Sequence, residues 1–410
     1  MRRGLNPGIT TWGFKDNETG KLILQVARPA FGTGHTEFAS CLIVEDGITR
    51  RAVLALVPGS LAATGPDPIK KTKPLPAVGE FVRFADPTTE TPVVRLTSPS
   101  ITSILPAATN RFVSIRDRFL IFSSDRGGKL APFRANLRTG IVIAIAETAG
   151  LDPRSLCLDQ KERTLYFLDN GKLRVVNLRT RHEERPIGDN IAAFSIANGY
   201  GSEPSEFWVI RNGQLEYLQG NSTRNVAENV SGDCLSRPGK PGCLFIRKVG
   251  AEESEIWYTG VDAGTKPVLL ASGRVSNPVW SADGQSVFLL REIPKGDAYF
   301  SEIHELVPEG GAERCVAPTS QFAAFSPNGD DSVFVGASRS KAQPNIILLL
   351  RSVRREFTLC EHRASQPAAV VPVFSPDSRR VYFQSDHQGK PAIYSVNVEL
   401  LVEPTPAVAA

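Results

Sequence analysis

A unit of roughly 43 residues recurs seven times in this sequence, and each copy carries β-strand signals joined by tight polar turns. The last copy also runs out of chain before a fourth strand. Together these observations predict an all-β fold: a seven-bladed β-propeller of four-stranded blades, closed into a ring by an N-terminal strand.

The repeat is legible as near-copies. "VWSADGQSVFLL" (279–290), "AFSPNGDDSVFV" (324–335) and "VFSPDSRRVYF" (373–383) share one turn between apolar runs. Gly and Asn in such turns tolerate φ > 0, which gives the hairpin signal a mechanism. "FLIFSSDRGGKLAPFRANLRTG" (119–140) matches "RVYFQSDHQGKPAIYSVNVE" (380–399), and "NLRT" occurs at 136–139 and 177–180. Anchoring each unit on the apolar residue expected to end its second strand gives Phe122, Phe167, Val209, Ile246, Leu289, Val335 and Phe383. An isolated four-stranded sheet leaves apolar faces in water, whereas stacked blades bury one another. After Asn397 too little chain remains for a fourth strand, and "VVRLTS" (93–98) belongs to no full unit. It is expected to pair with "AIYSVN" (392–397), supplying the outer edge of the last blade and removing an exposed sheet edge.

Composition fits this reading. Apolar residues make up 41%, charged residues 22%, and 34 Gly and 30 Pro supply turns. A net charge of +4 without basic–aromatic clusters argues against a nucleic-acid partner. No apolar run approaches the roughly 18 residues of a membrane-spanning helix. Six cysteines are too few for a disulfide scaffold.

Residues 47–65, "GITRRAVLALVPGSLAATG", read as a twin-arginine-type export signal: Arg50-Arg51, a short apolar run, then small residues. Residues 1–66 are therefore expected to be a leader, with 1–43 standing upstream of an initiation at Val44. Residues 67–92 read as a linker, 93–400 as the propeller and 401–410 as a tail. The mature protein is expected to be a periplasmic or extracellular monomer.

The repeat core resembles the TolB-type, WD40-like PD40 repeat, F-S-P-D-G followed by a strand and S-D. Over about 300 residues, from "VVRLTS" through "TLYFLDNGKLRVVNLRTRHEER" to "PVFSPDSRRVYFQSDHQGKPAIYSVN", the chain is similar to the oligogalacturonate lyases. That resemblance implies a seven-bladed propeller and β-elimination beside Mn²⁺ held by histidines and a glutamine. Here "RVSNPVWSADG" has Asn277 where a histidine is expected, and "SQPAAVVPVF" has Val371 at another ligand position, with Gln366 only loosely aligned. The middle-blade "H-E-G-P" becomes "IRKVGAE" (246–252). No cofactor is therefore expected, and Mn²⁺ only if lyase activity survives.

The candidate binding residues lie in loops expected on one face: Arg126, Arg247, Lys248, Asn277, His362, Gln366 and His387. Cations and amides in a concave site suit an acidic oligosaccharide, through charge-assisted hydrogen bonds. His387 is expected to cap or pack its turn, "SDHQG", and not to bind a metal. His182 and His304 fall in outer parts of blades. Cys234 and Cys243, flanking "LSRPGKP", are candidates for a disulfide, the alternative being two small buried hydrophobes. No G-x-S-x-G nucleophile elbow occurs. Three functional readings remain open on the sequence: a binding propeller with a degenerate metal site, an active lyase, or a TolB-like scaffold for an envelope protein.

Overall fold

The computed structural model describes residues 79–184, 186–197, 206–262 and 264–403, together with three upstream strands, Thr10–Lys15, Leu22–Pro29 and Thr36–Val44. The chain divides into two units, Met1–Lys73 and Pro74–Ala410. In the first unit the three strands form an antiparallel sheet in sequence order. The export-signal stretch, 47–65, lies outside the described residues.

The second unit is a ring of seven antiparallel blades. All seven anchors fall on second strands: Phe119–Ser124, Thr164–Asp169, Glu206–Arg211, Cys243–Lys248, Val287–Lys295, Val333–Ser338 and Arg380–Ser385. Their side chains, apart from a partly buried Ile246, are at most 1% exposed.

The turn before these strands has one design in five blades. A Ser, Asp or Asn side chain accepts the N–H five residues on, from Ser114 to Phe119 (3.1 Å), Asp159 to Thr164 (3.0 Å), Ser281 to Ser286 (2.8 Å), Asn328 to Val333 (3.1 Å) and Ser375 to Arg380 (3.0 Å). The residue three after it is left-handed each time: Asp117, Glu162, Gly284, Asp331 and Ser378. Short polar side chains thus hold a conformation that would otherwise favour glycine.

Two blades depart from four strands. In the second blade the regular sheet has three strands, and bridges at Glu183 and Ile187 complete its outer edge. The last blade has five. Pro92–Arg95 pairs with Ala392–Asn397 in the register Tyr394↔Arg95, Ser395↔Val94, Val396↔Val93. Past it the ladder is continued by Leu96 N–H to Ile393 O (2.7 Å) and by Ile393 N–H to Thr97 Oγ1 (2.9 Å). The segment 93–98 is not outermost, however. Val82–Ala85, within the stretch read as linker, adds a further strand outside it. That strand is mostly exposed on both faces, so its sequence has no apolar periodicity to betray it.

Cores lie between blades. Buried clusters join blades one and two to the last blade, two to three, three to four, four to five, five to six, and six to seven, so every neighbouring pair shares one. The packing admits no surplus at Gly336, in the second strand of blade six. A Cβ there would lie 2.3 Å from the ring of fully buried Phe322. Gly336→Ala is therefore expected to destabilise the propeller by about 1–3 kcal/mol through overpacking, read as a lower urea midpoint with unchanged slope.

Of the two alternatives for Cys234 and Cys243, the structure has the two buried thiols and not the bridge, and the five cysteines among the described residues are thiols. Register explains why. Cys234 faces Phe245 and Cys243 faces Ser236, so the pair is diagonal across the two strands. Diagonal neighbours stand about 7–8 Å apart, beyond usual disulfide reach. Both are buried, and burial, with Cys234 adjacent, drives the Cys243 thiol pKa well up.

Candidate axial binding site

First strands face the ring axis, and two connected cavities lie along it. One, of about 150 Å³, is lined by Arg154, Asp233, Asn277 and Val371 among others. The other, of about 300 Å³, lies toward the polar turns and is lined by Asn110, Ser236, Trp280, Asn328 and Ser375 among others. They share Ala108, Thr109, Leu235 and Val279, making them successive parts of one channel.

The charged end is built by the connections entering first strands. Arg154 is carried by a turn whose Asp152 carboxylate accepts the Arg154 N–H at 3.0 Å. Its carbonyl accepts Ala107 N–H (3.0 Å) and Asn110 Nδ2 (3.2 Å), tying the first blade's entry to the second's. The Arg154 side chain is exposed to the channel and donates no hydrogen bond to a described residue. Asp233 opposes it just before the first strand of blade four (Cys234–Ser236). Water reaches Asp233, but enclosure by the ring pushes its carboxyl up. Arg154 and Lys248 pull it back, and Asp152 adds to the rise.

The seven sequence-chosen residues are not brought together. Asn277 alone of them lines the axial cavity. It is left-handed (φ 51) at a register shift, and its amide donates to Ala323 O at 3.1 Å. Lys248 is exposed at the end of the second strand of blade four, close enough to act on Asp233. Arg247 beside it stacks on Trp257, 4.6 Å from the ring centre, and donates to Glu228 O at 3.1 Å. Gln366 is exposed and starts the single helical turn Pro367–Ala369 without a side-chain capping bond.

Arg126 is committed to structure. Its guanidinium forms a two-pronged ion pair with Glu80, with Nη2 to Oε2 at 2.9 Å and Nη1 on Oε1. Burial raises the Glu80 carboxyl, but Arg126 and the Ser98 N–H outweigh it and the net shift is downward. His387 packs against Tyr394, with ring centroids 5.4 Å apart and the planes tilted by 34°, and meets Ser385 Oγ at 3.1 Å. It lines a side pocket with Phe84 and Arg363, away from the axial residues.

His362 is fully buried. Its Nε2 meets Ser338 O at 2.9 Å, and its Nδ1 accepts Ala364 N–H at 3.0 Å. A carbonyl requires a donor and an N–H an acceptor, so the ring is the neutral Nε2–H tautomer. Burial lowers its pKa, against the Ser338 bond.

Sequence reasoning missed Arg154 and Asp233. Both sit in connections between blades, which carry no strand signal. The usable signal was phase: each closely precedes a first strand, Cys157–Leu158 or Cys234–Ser236, and that phase places a residue at the channel mouth.

No family model and no curated protein matches the sequence. Solved structures match the fold. An oligogalacturonate lyase from Vibrio parahaemolyticus is 18% identical with a TM-score of 0.68, covering 78% of this chain and 96% of that one. An oligogalacturonate lyase in complex with manganese gives 18%, 0.67, 77% and 96%. A Kuenenia stuttgartiensis hydrazine synthase chain gives 12%, 0.51, 70% and 95%. At these identities the likeness is one of fold.

The buried His362 makes acid behaviour a test of this geometry. Its folded pKa lies below the ordinary value of about 6.5. Between the two values the unfolded chain binds more protons, so stability is lost as pH falls through that window. Within the change of urea midpoint between about pH 7.5 and about pH 5.5, His362 contributes a loss toward acid, so His362→Gln should remove that contribution relative to the parent protein while costing about 1–3 kcal/mol at neutral pH.

Proposed function

We propose that the protein is an exported, non-catalytic propeller that binds an acidic oligosaccharide at the charged mouth of its axial channel. The observation that carries this reading is an uncommitted arginine, Arg154, in the lining of the enclosed mouth. Arg126, Arg174, Arg274, Arg291 and Arg351 are each engaged with a carboxylate. Arg154 donates to no described carboxylate or carbonyl, and Lys248, outside that lining, is close enough to act on Asp233. An uncommitted cation in a concave, partly enclosed site favours a ligand carboxylate, with Asn277 and the nearby polar groups available to sugar hydroxyls.

The donor chemistry argues against a lyase-type manganese centre. Among the residues lining the mouth, Asp233 is the one carboxylate and no imidazole is present. The Asn277 amide nitrogen is engaged with Ala323 O, and Arg154 puts a positive charge beside the carboxylate. A divalent cation needs several convergent donors and no competing cation, so these residues do not fit it. The scaffold reading calls for a flat apolar loop face, and the mouth is charged.

Binding of oligogalacturonate by calorimetry is expected, with neutral oligosaccharides silent. Arg154→Ala should weaken it about tenfold or more, the scale of one charge-assisted hydrogen bond. Release of unsaturated uronate, followed by ultraviolet absorbance, should be absent with or without added Mn²⁺. Manganese-dependent release would replace this reading with the lyase.

Export rests on the Arg50-Arg51 segment. N-terminal sequencing of secreted protein should find a start between Ala62 and Lys73, and a mature chain starting at Met1 would refute it.

A further inference from the structure

A second cluster of donors lies on the outer part of blade five, independent of the axial mouth. The third strand, Ala298–Leu306, carries Glu302 and His304, which share a face because they are two residues apart. The fourth strand, Arg314–Pro318, carries Cys315 directly opposite His304. The register slips between Ile303 and His304, leaving Val316 as the extra residue of a bulge. Bulges re-aim side chains, and this one sets the Cys315 thiol against Glu302 and His304. One donor atom from each of the three lies within 4.8 Å of the other two.

The histidine is oriented from behind. Its Nε2 faces Glu302 Oε2 at 3.0 Å, and its Nδ1 lies 2.7 Å from Glu313 Oε1. Glu313 is itself clamped by Arg291, with Nη2 to Oε2 at 2.7 Å and Nε on Oε1. A carboxylate behind a ligating imidazole, fixed by an arginine, is the outer-shell arrangement that sets tautomer and basicity in metal sites. His304 Nδ1 is also buried without a well-aligned hydrogen bond. As an ion-pair network alone the cluster is therefore imperfectly satisfied.

We propose that Glu302, His304 and Cys315 form a zinc site, with solvent in the fourth position and Glu313 orienting the histidine. A thiol, an imidazole and a carboxylate form the mixed set that suits zinc, and Mn²⁺ or Ca²⁺ prefers oxygen. In a tetrahedral zinc site the donor atoms stand about 3.3–3.8 Å apart, so 4.8 Å closes with side-chain rotation alone. Cys315 is exposed, which leaves an entry path and the open position. Binding displaces the thiol proton and leaves Nε2 as the ring donor. In the metal-free protein, partial burial and the Glu302 carboxylate raise the Cys315 thiol pKa. A dication between the two groups reverses that relation. The bound ion would cross-link the two outer strands of the blade.

The full-length protein, stripped with chelator and dialysed, is titrated with Zn²⁺ against a chromophoric competitor and separately with Co²⁺. One equivalent of Zn²⁺ should bind. Co²⁺ should give tetrahedral visible bands and a near-ultraviolet thiolate charge-transfer band. Cys315→Ser should abolish the charge-transfer band and weaken Zn²⁺ at least tenfold, and Glu313→Gln should weaken it about 10–100-fold while keeping that band. Because Cys315 is exposed, its variant is expected to fold, which near-ultraviolet circular dichroism checks. Failure to bind Zn²⁺, or binding unchanged by Cys315→Ser, would overturn the site and leave an ion-pair network.

Discussion

Everything in the propeller depends on the burial of each blade between two neighbours. The second strands are apolar on both faces, as in "LIF" of blade one (Leu120, Ile121 and Phe122, each 0% exposed). Such a strand gains about 1.5–3 kcal/mol per large side chain only if both faces are covered. A single blade covers neither, so the sheets must stack, and only a closed ring leaves no uncovered face at the ends. The junction of the last blade with the first carries more than apolar contact. Tyr382 Oη donates to Asp117, Lys390 Nζ reaches Asp125 at 3.0 Å, and Ser103 N–H bonds Pro391 O at 2.7 Å. Chain segments nearly 300 residues apart are joined there.

The ring in turn decides where chemistry can sit. First strands are short at the axis, down to two residues in the first, second and last blades, so the irregular connections before them supply the channel wall. Irregular backbone tolerates residues that a ladder would reject, and there Arg154, Asp233 and Val371 converge with Asn277, which sits at a register shift inside the strand Val275–Trp280. Several arginines elsewhere are tied into the fold. Arg126 locks Glu80 against the first blade, and Arg174 joins Asp169 and Glu183 within the second. An arginine's residue type therefore says little about binding until its partner is known.

This is why the fold was legible in the sequence and the site largely was not. The S-P-D turns and apolar second strands encode geometry locally, within ten or so residues, and the seven anchors mark their strands correctly. Val82–Ala85 escaped because an exposed edge strand needs no apolar pattern. The site depends on contacts across hundreds of residues. His362 looked like a loop ligand, but Ser338 and Ala364 take both its ring nitrogens. Cys234 and Cys243 looked opposed until the register set them two residues apart. His304 lay in an outer strand as expected, but the bulge that brings Cys315 to it cannot be read from either strand alone.

Val371 shows how strongly the ring dictates the wall of the axial mouth. It is buried and left-handed, at φ 50, a conformation that is an outlier for a β-branched residue and costs about 1–2 kcal/mol. Asn, Asp and His are the non-glycine residues that adopt it readily. Asn277, across the cavity, is left-handed at φ 51 at little cost. The ring therefore dictates a backbone suited to glycine, asparagine, aspartate or histidine and holds a valine in it under strain. The strain persists because inter-blade packing over-determines the segment. Val370 and Val371 are buried in two different clusters, so relaxing one φ would disturb both.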